Sequence, residues 1–284
     1  MASLRDWLSG VFWKIDTASQ AGRVTLYNSS GTELSGLDPK NWAIEVARGN
    51  ISGQSMITKF GYNADIDTAA AEDVFGQGGT YVAPTQARVH DISSSSANDT
   101  SAGTGARTVL VRGIDSNYNS VSETIILNGV GNVATVNSYY HIHLMQVITV
   151  GSTGSNVGTI SATAQTDATV TCTIEPTNNQ STSSIYMVPT GYKGYIMKIR
   201  ARMGNTISNT SANVDLLVKP FGGGFQLKTK IGLNNAGSST AFNDYSESTP
   251  FIVQAKSFIK LRASIVSTNN TEIMGEYDLI LVQD

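Results

Sequence analysis

From position 87 onward the sequence repeats one pattern. A short run of apolar residues alternates with small polar ones and then gives way to a cluster of Gly, Asn, Ser or Asp. The runs recur about every 8–14 residues, the rhythm of a β-sandwich. Period-two alternation gives a strand one buried and one solvated face, and the intervening residue types turn a chain sharply. Residues 108–114 and 121–127 flank Asp115-Ser-Asn-Tyr-Asn-Ser120 and predict a hairpin with a polar tip. Further strands are predicted over 139–150, 158–164 and 168–174, then over 184–188, 194–203, 213–219, 226–231, 251–253, 257–265 and 271–282. In 257–265, Phe258, Lys260, Arg262 and Ser264 share one face, while Ile259, Leu261, Ala263 and Ile265 share the other.

Composition supports this reading. Only 14% of the 284 residues are charged, against roughly 25% in an average protein. Ser 32, Thr 30, Asn 21 and Gly 27 fill the gap. A helical bundle or coiled coil needs Ala, Glu, Lys, Leu and Arg in bulk, so both are excluded. Disorder is excluded by the apolar runs and a net charge of only -3. That charge also argues against nucleic acid as a partner. Charge is unevenly spread. Residues 113–192 hold four acids and no Lys or Arg, whereas 193–262 hold ten bases and three acids. Two such stretches can attract each other or neighbouring copies, or simply be solvated surfaces.

The amino end is built differently. Leu4, Trp7, Leu8, Val11, Phe12 and Ile15 fall on one face of an amphipathic helix, with Ser3 placed to cap it. Two tryptophans in so short a helix need cover, on its own domain, a partner subunit or a membrane. The sparse flanking basic residues weaken the membrane option. This face is the candidate partner-docking site. A small hairpin around residues 23–34 follows, then a mixed stretch with a short element at 42–46, then a long connection over 63–81 expected to cross a surface. Residues 93–106 read as a loop. Pro176-Thr-Asn-Asn-Gln-Ser-Thr-Ser-Ser184 reads as a linker.

The expected fold is therefore mainly β: two β-sandwich domains, jelly-roll or Ig-like, with a short amino-terminal helix and an extended arm. Residues 1–58 form the docking arm, 59–177 the first sandwich and 178–284 the second. Cys172 is the only cysteine, so no intrachain disulfide can form, and its place in Val170-Thr-Cys172-Thr-Ile174 predicts a buried strand residue. No secretion signal and no membrane-spanning run is read, so synthesis in a reducing cytoplasm is expected.

Few side chains suggest chemistry. His141 and His143 lie two apart in a predicted strand and share a face, so both can reach one metal, or both simply face solvent or an interface. His90 stands alone. Asp115, Asn117 and Asn119 open like a calcium loop, but Ser120 and Ile126 stand where Gly and Glu are required. A turn bonded to its own backbone is the better reading. Asp65, Asp67, Glu72 and Asp73 are read as structural or solvated acids, and Gly222-Gly-Gly224 as a flexible turn. No catalytic arrangement or cofactor motif is found, and no enzyme is expected.

Several motifs carry a resemblance. They are Lys59-Phe-Gly-Tyr-Asn63-Ala-Asp65-Ile-Asp67-Thr68, Glu72-Asp-Val-Phe75 and Gly78-Gly-Thr-Tyr81. Ser94-Ser-Ser-Ala-Asn-Asp-Thr100, Gly103-Thr-Gly-Ala-Arg-Thr108 and Gly113-Ile-Asp-Ser-Asn-Tyr-Asn-Ser-Val-Ser-Glu-Thr124 continue the set. Together they resemble a family of tailed-bacteriophage virion structural proteins, over roughly residues 59–167 and more loosely to Gly191. The resemblance implies a particle component without catalytic residues, assembling as a symmetric oligomer, often a trimer. The expected role is a capsid decoration or cement protein bound to the major capsid protein and to copies of itself. The alternative is a tail fibre or tail adaptor contacting the host surface, with Tyr192, Tyr195, Phe221, Phe225 and Tyr245 against glycan. Neither nucleic acid nor membrane is an expected partner, and the expected location is the virion.

Overall fold

The computed structural model describes residues 42–204, 209–235 and 241–284, with backbone alone over 241–249. The docking face at Leu4, Trp7, Leu8, Val11, Phe12 and Ile15 lies outside the described residues. The chain divides into two units, residues 1–56 and 57–284.

In the first unit, α1 (Trp42–Ala47) is a single short helix. It stops at Gly49, where φ is +76°. The Gly49 N–H donates to Val46 O and the Asn50 N–H to Glu45 O. Paired bonds of this span across a left-handed glycine satisfy the last carbonyls of a helix.

Among the described residues, all remaining elements are strands. β1 (Gln54–Ile66), β2 (Glu72–Asp73), β3 (His90–Ser94), β4 (Ala106–Asp115) and β5 (Ser120–Ile126) come first. β6 (Val133–Ala134), β7 (Tyr139–Val150), β8 (Ile160–Ala164), β9 (Val170–Ile174) and β10 (Tyr186–Met187) follow. The rest are β11 (Tyr192–Met203), β12 (Thr210–Lys219), β13 (Gln226–Asn235), β14 (Ala241–Val253), β15 (Phe258–Val266) and β16 (Thr271–Gln283).

The expectation of a mainly β chain with a small helix holds. The strands form four sheets, in the orders β1-β16-β11-β14, β10-β15-β12-β13 with β2 added on β15, β6-β3-β8-β9, and β5-β4-β7. They do not separate cleanly into two sandwiches along the chain. β1 and β2 come from the region before the predicted β series, yet they pair with β16 and β15. The expected boundary at 58/59 falls inside β1.

Two apolar clusters fill the interior. One gathers Ile66, Ile196, Ile199, Val214, Leu216, Leu261, Tyr277 and Leu279 from the first two sheets. The other gathers Ile92, Val109, Val111, Ile125, Tyr139, Met145, Ile160 and Cys172 from the last two. A third, smaller group joins Phe75, Ile114, Ile185, Met187 and Phe258.

Close approach explains one glycine. A Cβ on Gly61 would sit 2.0 Å from Val74 O and 2.6 Å from Ser184 N. Both are backbone atoms that cannot swing aside, so only glycine lets β1 pass here.

Two predicted loops are loops, largely solvent-facing, that are pinned by a few buried side chains. Residues 93–106 carry Asp99, which is fully buried. Its carboxylate accepts bonds from Ser94 Oγ (2.6 Å) and from the N–H groups of Ala106 (2.8 Å), Val157 (2.9 Å) and Gly158 (2.8 Å). In the predicted linker, Ser181, Ser183 and Ser184 are buried, and Ser184 N–H donates to Val74 O. Composition marks both segments as polar, and the side chains that do enter the interior are the ones that find hydrogen-bond partners there.

In β15 the two-face pattern runs as predicted to Ala263 and then slips. A register shift against β12 between Asn213 and Val214 puts Val266 inside and leaves Ile265 exposed. A bulge of this kind exchanges the faces of all residues beyond it.

Candidate functional site

The histidines come together in the interior rather than at a surface. The His141 and His143 rings lie 6.3 Å apart on β7. His141 is fully buried. The Tyr81 O–H bonds its Nδ1 at 2.7 Å, and its Nε2 bonds Ile185 O at 3.4 Å. A carbonyl only accepts, so the ring is the Nε2–H tautomer with Nδ1 as acceptor. Burial, with the Lys59 charge second, pulls its pKa down to about 3. The same two causes hold His143 well below its ordinary value. Lys59 is itself buried and donates to His143 O at 2.5 Å, and burial brings its amine down to about 8. Cys172, buried as predicted, has its thiol pushed up by burial. These groups are neutral or tied to backbone partners. Among the described residues, no three His, Cys, Asp or Glu converge as metal ligands.

The other sequence candidates resolve into structure. Asp115 Oδ1 accepts from the N–H groups of Asn117 (2.8 Å) and Asn119 (2.9 Å), the backbone-bonded turn expected of the β4–β5 tip. His90 is buried, with Nδ1 2.9 Å from Arg88 O. Of the acids, Asp65 is exposed, while Asp67 accepts from Asn270 N–H at 3.1 Å. Glu72 accepts from Gly79 N–H at 2.7 Å, and Asp73 pairs with Lys260 in the interior at 2.7 Å.

Many of the bases of 193–262 are paired, mostly with acids from outside that stretch. Arg200 pairs with Glu276 and with Asp278, across the β11–β16 ladder. Lys193 meets Asp284, and Lys230 meets Asp215. Lys219 and Lys256 differ, because among the described residues they face aromatic rings and no carboxylate, whereas Lys260, 4.3 Å from the Phe225 ring, is also paired with Asp73. Lys219 Nζ is 5.9 Å from the centre of Phe225, and Lys256 Nζ is 4.8 Å from Tyr118 and 5.3 Å from Phe221.

Around these two lysines lies a two-lobed groove. Tyr140, Phe258 and Lys219 belong to both lobes. The first lobe, about 270 Å³, adds Tyr118, Lys256 and the Phe221–Gly223 turn. The second, about 320 Å³, adds residues 81–85 and Phe225. Phe221 is 61% exposed and Phe225 44% exposed. The Tyr118 and Phe221 rings meet edge to face, 5.4 Å apart at 85°.

A second surface is flat. On the outward side of the β5-β4-β7 sheet, three rows cross the strands: Ser122–Arg112–Leu144, Thr124–Leu110–Gln146 and Ile126–Thr108–Thr149. Each of these side chains is exposed or half-buried, and Arg112 is the only charged one. On the β11–β16 ladder, by contrast, Lys198 stands opposite Asp278 and Arg200 opposite Glu276.

No family model matches the chain, and no curated protein matches it. Among solved structures, the VP2 subviral particle of infectious bursal disease virus aligns with 82% of this chain and 72% of its own, at 8% identity and a TM-score of 0.23. The Gx strain of the same virus aligns with 82% and 73%, at 7% identity and a TM-score of 0.21. Superpositions this loose do not define a shared fold. Among the described residues, no helix is long and apolar enough to cross a membrane.

Proposed function

We propose that this chain is a non-enzymatic structural component of a phage particle, acting as a capsid decoration or cement protein. The outward face of the β5-β4-β7 sheet carries the reading. Nine side chains in three rows present one charge. Packing a flat face of Ser, Thr, Gln and aliphatic residues against a neighbour desolvates almost no ions, which is the dominant cost of covering a charged surface. Two of the phage-structural motifs, residues 103–108 and 113–124, reach into β4 and β5 of this sheet and support the same reading.

In this role the protein binds the major capsid protein and copies of itself, as a trimer, and stabilises the shell across subunit boundaries. An interface of about 1,600 Å² is enough for specific binding, and many copies multiply the effect. The helix predicted around Trp7 and Phe12 supplies the anchor.

Imaging particles that lack the protein tests the assignment. Missing density on the capsid lattice is the expected result, and an unchanged lattice overturns it. Removing residues 1–16 should abolish particle association and leave a folded β protein, whereas retained binding overturns the anchor. The aromatic groove favours a second reading, a tail or fibre component that contacts the host surface. Copy number separates the two: hundreds per virion for decoration, a dozen or so for a tail part.

A further inference from the structure

We propose that the two-lobed groove around Lys219 binds an acidic oligosaccharide, one lobe per sugar, with aromatic walls stacking the sugar rings and the two lysines holding carboxylates. The inference rests on the groove itself and is independent of where in a particle the protein sits.

The chemistry follows from what lines the groove. Phe221 and Phe225 stand one in each lobe and leave much of their rings in water. An aromatic face is electron-rich, and the axial C–H groups of a pyranose present a weakly positive apolar patch of matching size. Lys219 lies between the lobes and Lys256 at the end of the first. Among the described residues, neither is matched to a carboxylate. Both point at rings, so each ammonium retains donors for an incoming anion. At about 270 and 320 Å³ the lobes together reach the usual size range of small-molecule sites, about 300–1,000 Å³, while each alone sits at its lower edge. Among the described residues two cations line the groove, since Lys260, over the Phe225 ring, is committed to Asp73, and the chain as a whole carries -3, which suits a sparsely charged saccharide better than a nucleic acid strand with a phosphate at every step.

Two of the eight left-handed non-glycine residues among those described also line the first lobe. Tyr118 (φ +66°) and Lys256 (φ +62°) are both left-handed although neither is glycine, and their side chains meet there. Gly222, on the facing turn, is at φ +72°. Each strained residue is held by a backbone bond, Thr190 N–H to Tyr118 O and Lys256 N–H to Val188 O, both 2.8 Å. Left-handed non-glycine residues are costly and collect where geometry serves a ligand. Glycine at position 256 would relieve the backbone, so folding alone does not explain a lysine there.

Titration calorimetry and saturation-transfer NMR on the full chain decide the matter, with a hyaluronan hexasaccharide as the acidic probe, a chitin hexasaccharide as the neutral one and a thymidine hexanucleotide as the rival polyanion. The expected result is binding of the hyaluronan probe that weakens with salt. Phe221→Ala and Lys219→Gln should each reduce it about tenfold, with the melting temperature unchanged. Lys256→Gly should weaken binding while leaving stability equal or higher. Equal binding of the neutral sugar overturns the role of the lysines. Preference for the oligonucleotide, unchanged affinity in the variants, or no saccharide binding at about 5 mM overturns the proposal.

Discussion

Asp73 Oδ2 lies 2.7 Å from Lys260 Nζ, and both side chains are buried although 187 positions separate them. Arg262 Nε stands 3.7 Å from the other carboxylate oxygen. The pair joins β2 to β15 beside Phe225, whose ring centre is 4.3 Å from the Lys260 ammonium. A buried ion pair contributes little net stability when made, but removing one partner strands the other charge in a poor solvent. Lys260→Met should therefore cost about 3–5 kcal/mol in urea unfolding. Adding Asp73→Leu should recover much of that loss. A double variant no more stable than the single one would sink this account.

Asp99 should set part of the acid limit of stability. Burial alone would raise its pKa, but bonds from Ser94, Val157, Gly158 and Ala106 win and hold the carboxyl below its ordinary 3.8. A group depressed by folding stabilises the native state above its unfolded value and loses that contribution as pH falls through the folded one. Wild-type protein should lose stability below about pH 4, and Asp99→Asn should flatten that limb. At pH 7 the variant should be destabilised by about 2 kcal/mol, because the amide offers an N–H where backbone N–H groups need an acceptor.

The histidines act higher on the pH scale. His141 is neutral in the fold, with its pKa at about 3 against 6.5 when unfolded. The unfolded chain thus takes up the proton first, and stability falls as pH drops from about 6.5 towards 3. The slope approaches about 1.4 kcal/mol per pH unit for each such histidine. Lys59, Tyr81 and His143 surround this ring and remain in His141→Gln. Denaturant melts at pH 7, 6 and 5 should show a shallower slope in that variant. An identical slope would mean that His141 is charged in the fold.

Gly61→Ala should be among the most damaging small substitutions, losing about 2 kcal/mol or more because a methyl group would press on backbone at Val74 and Ser184. Gly224→Ala is the control. Its Cβ would meet open space, so the melting temperature should hardly move. Equal melting temperatures for the two variants would refute the packing argument.

Much of the strand pattern was legible because half-buried strands alternate. The region 139–150 predicted for a strand is β7 to the residue, and Asp115 bonds its own turn as its spacing implies. The masking of β1 has a plain cause. Gln54–Ile66 alternates weakly and ends on Asp65, and this acid and the following Asp67, Glu72 and Asp73 look like surface acids. Asp73 becomes internal only because Lys260 meets it from a strand far along the chain, and no local pattern encodes that meeting. The same holds for Asp99, hidden in a Ser-rich run whose donors come from residues 157 and 158. For the groove, Phe221 and Phe225 were visible as aromatics beside a glycine turn. Tyr118 was visible only as part of a hairpin tip. Their convergence with Lys256 depends on left-handed backbone that composition does not reveal.

The place of β1 also dictates an order of events during synthesis. Its sheet neighbour is β16, and β2 borders β15. While a ribosome is making the chain, β1 and β2 leave the exit tunnel long before either partner exists. The middle strands β3–β9 can collapse on one another meanwhile, but the β1-β16-β11-β14 sheet must remain open until translation has passed residue 271. An unpaired strand edge waits through that interval, exposed to other nascent chains. A stop codon anywhere before β16 would make the exposure permanent, so truncated products should be insoluble rather than merely unstable.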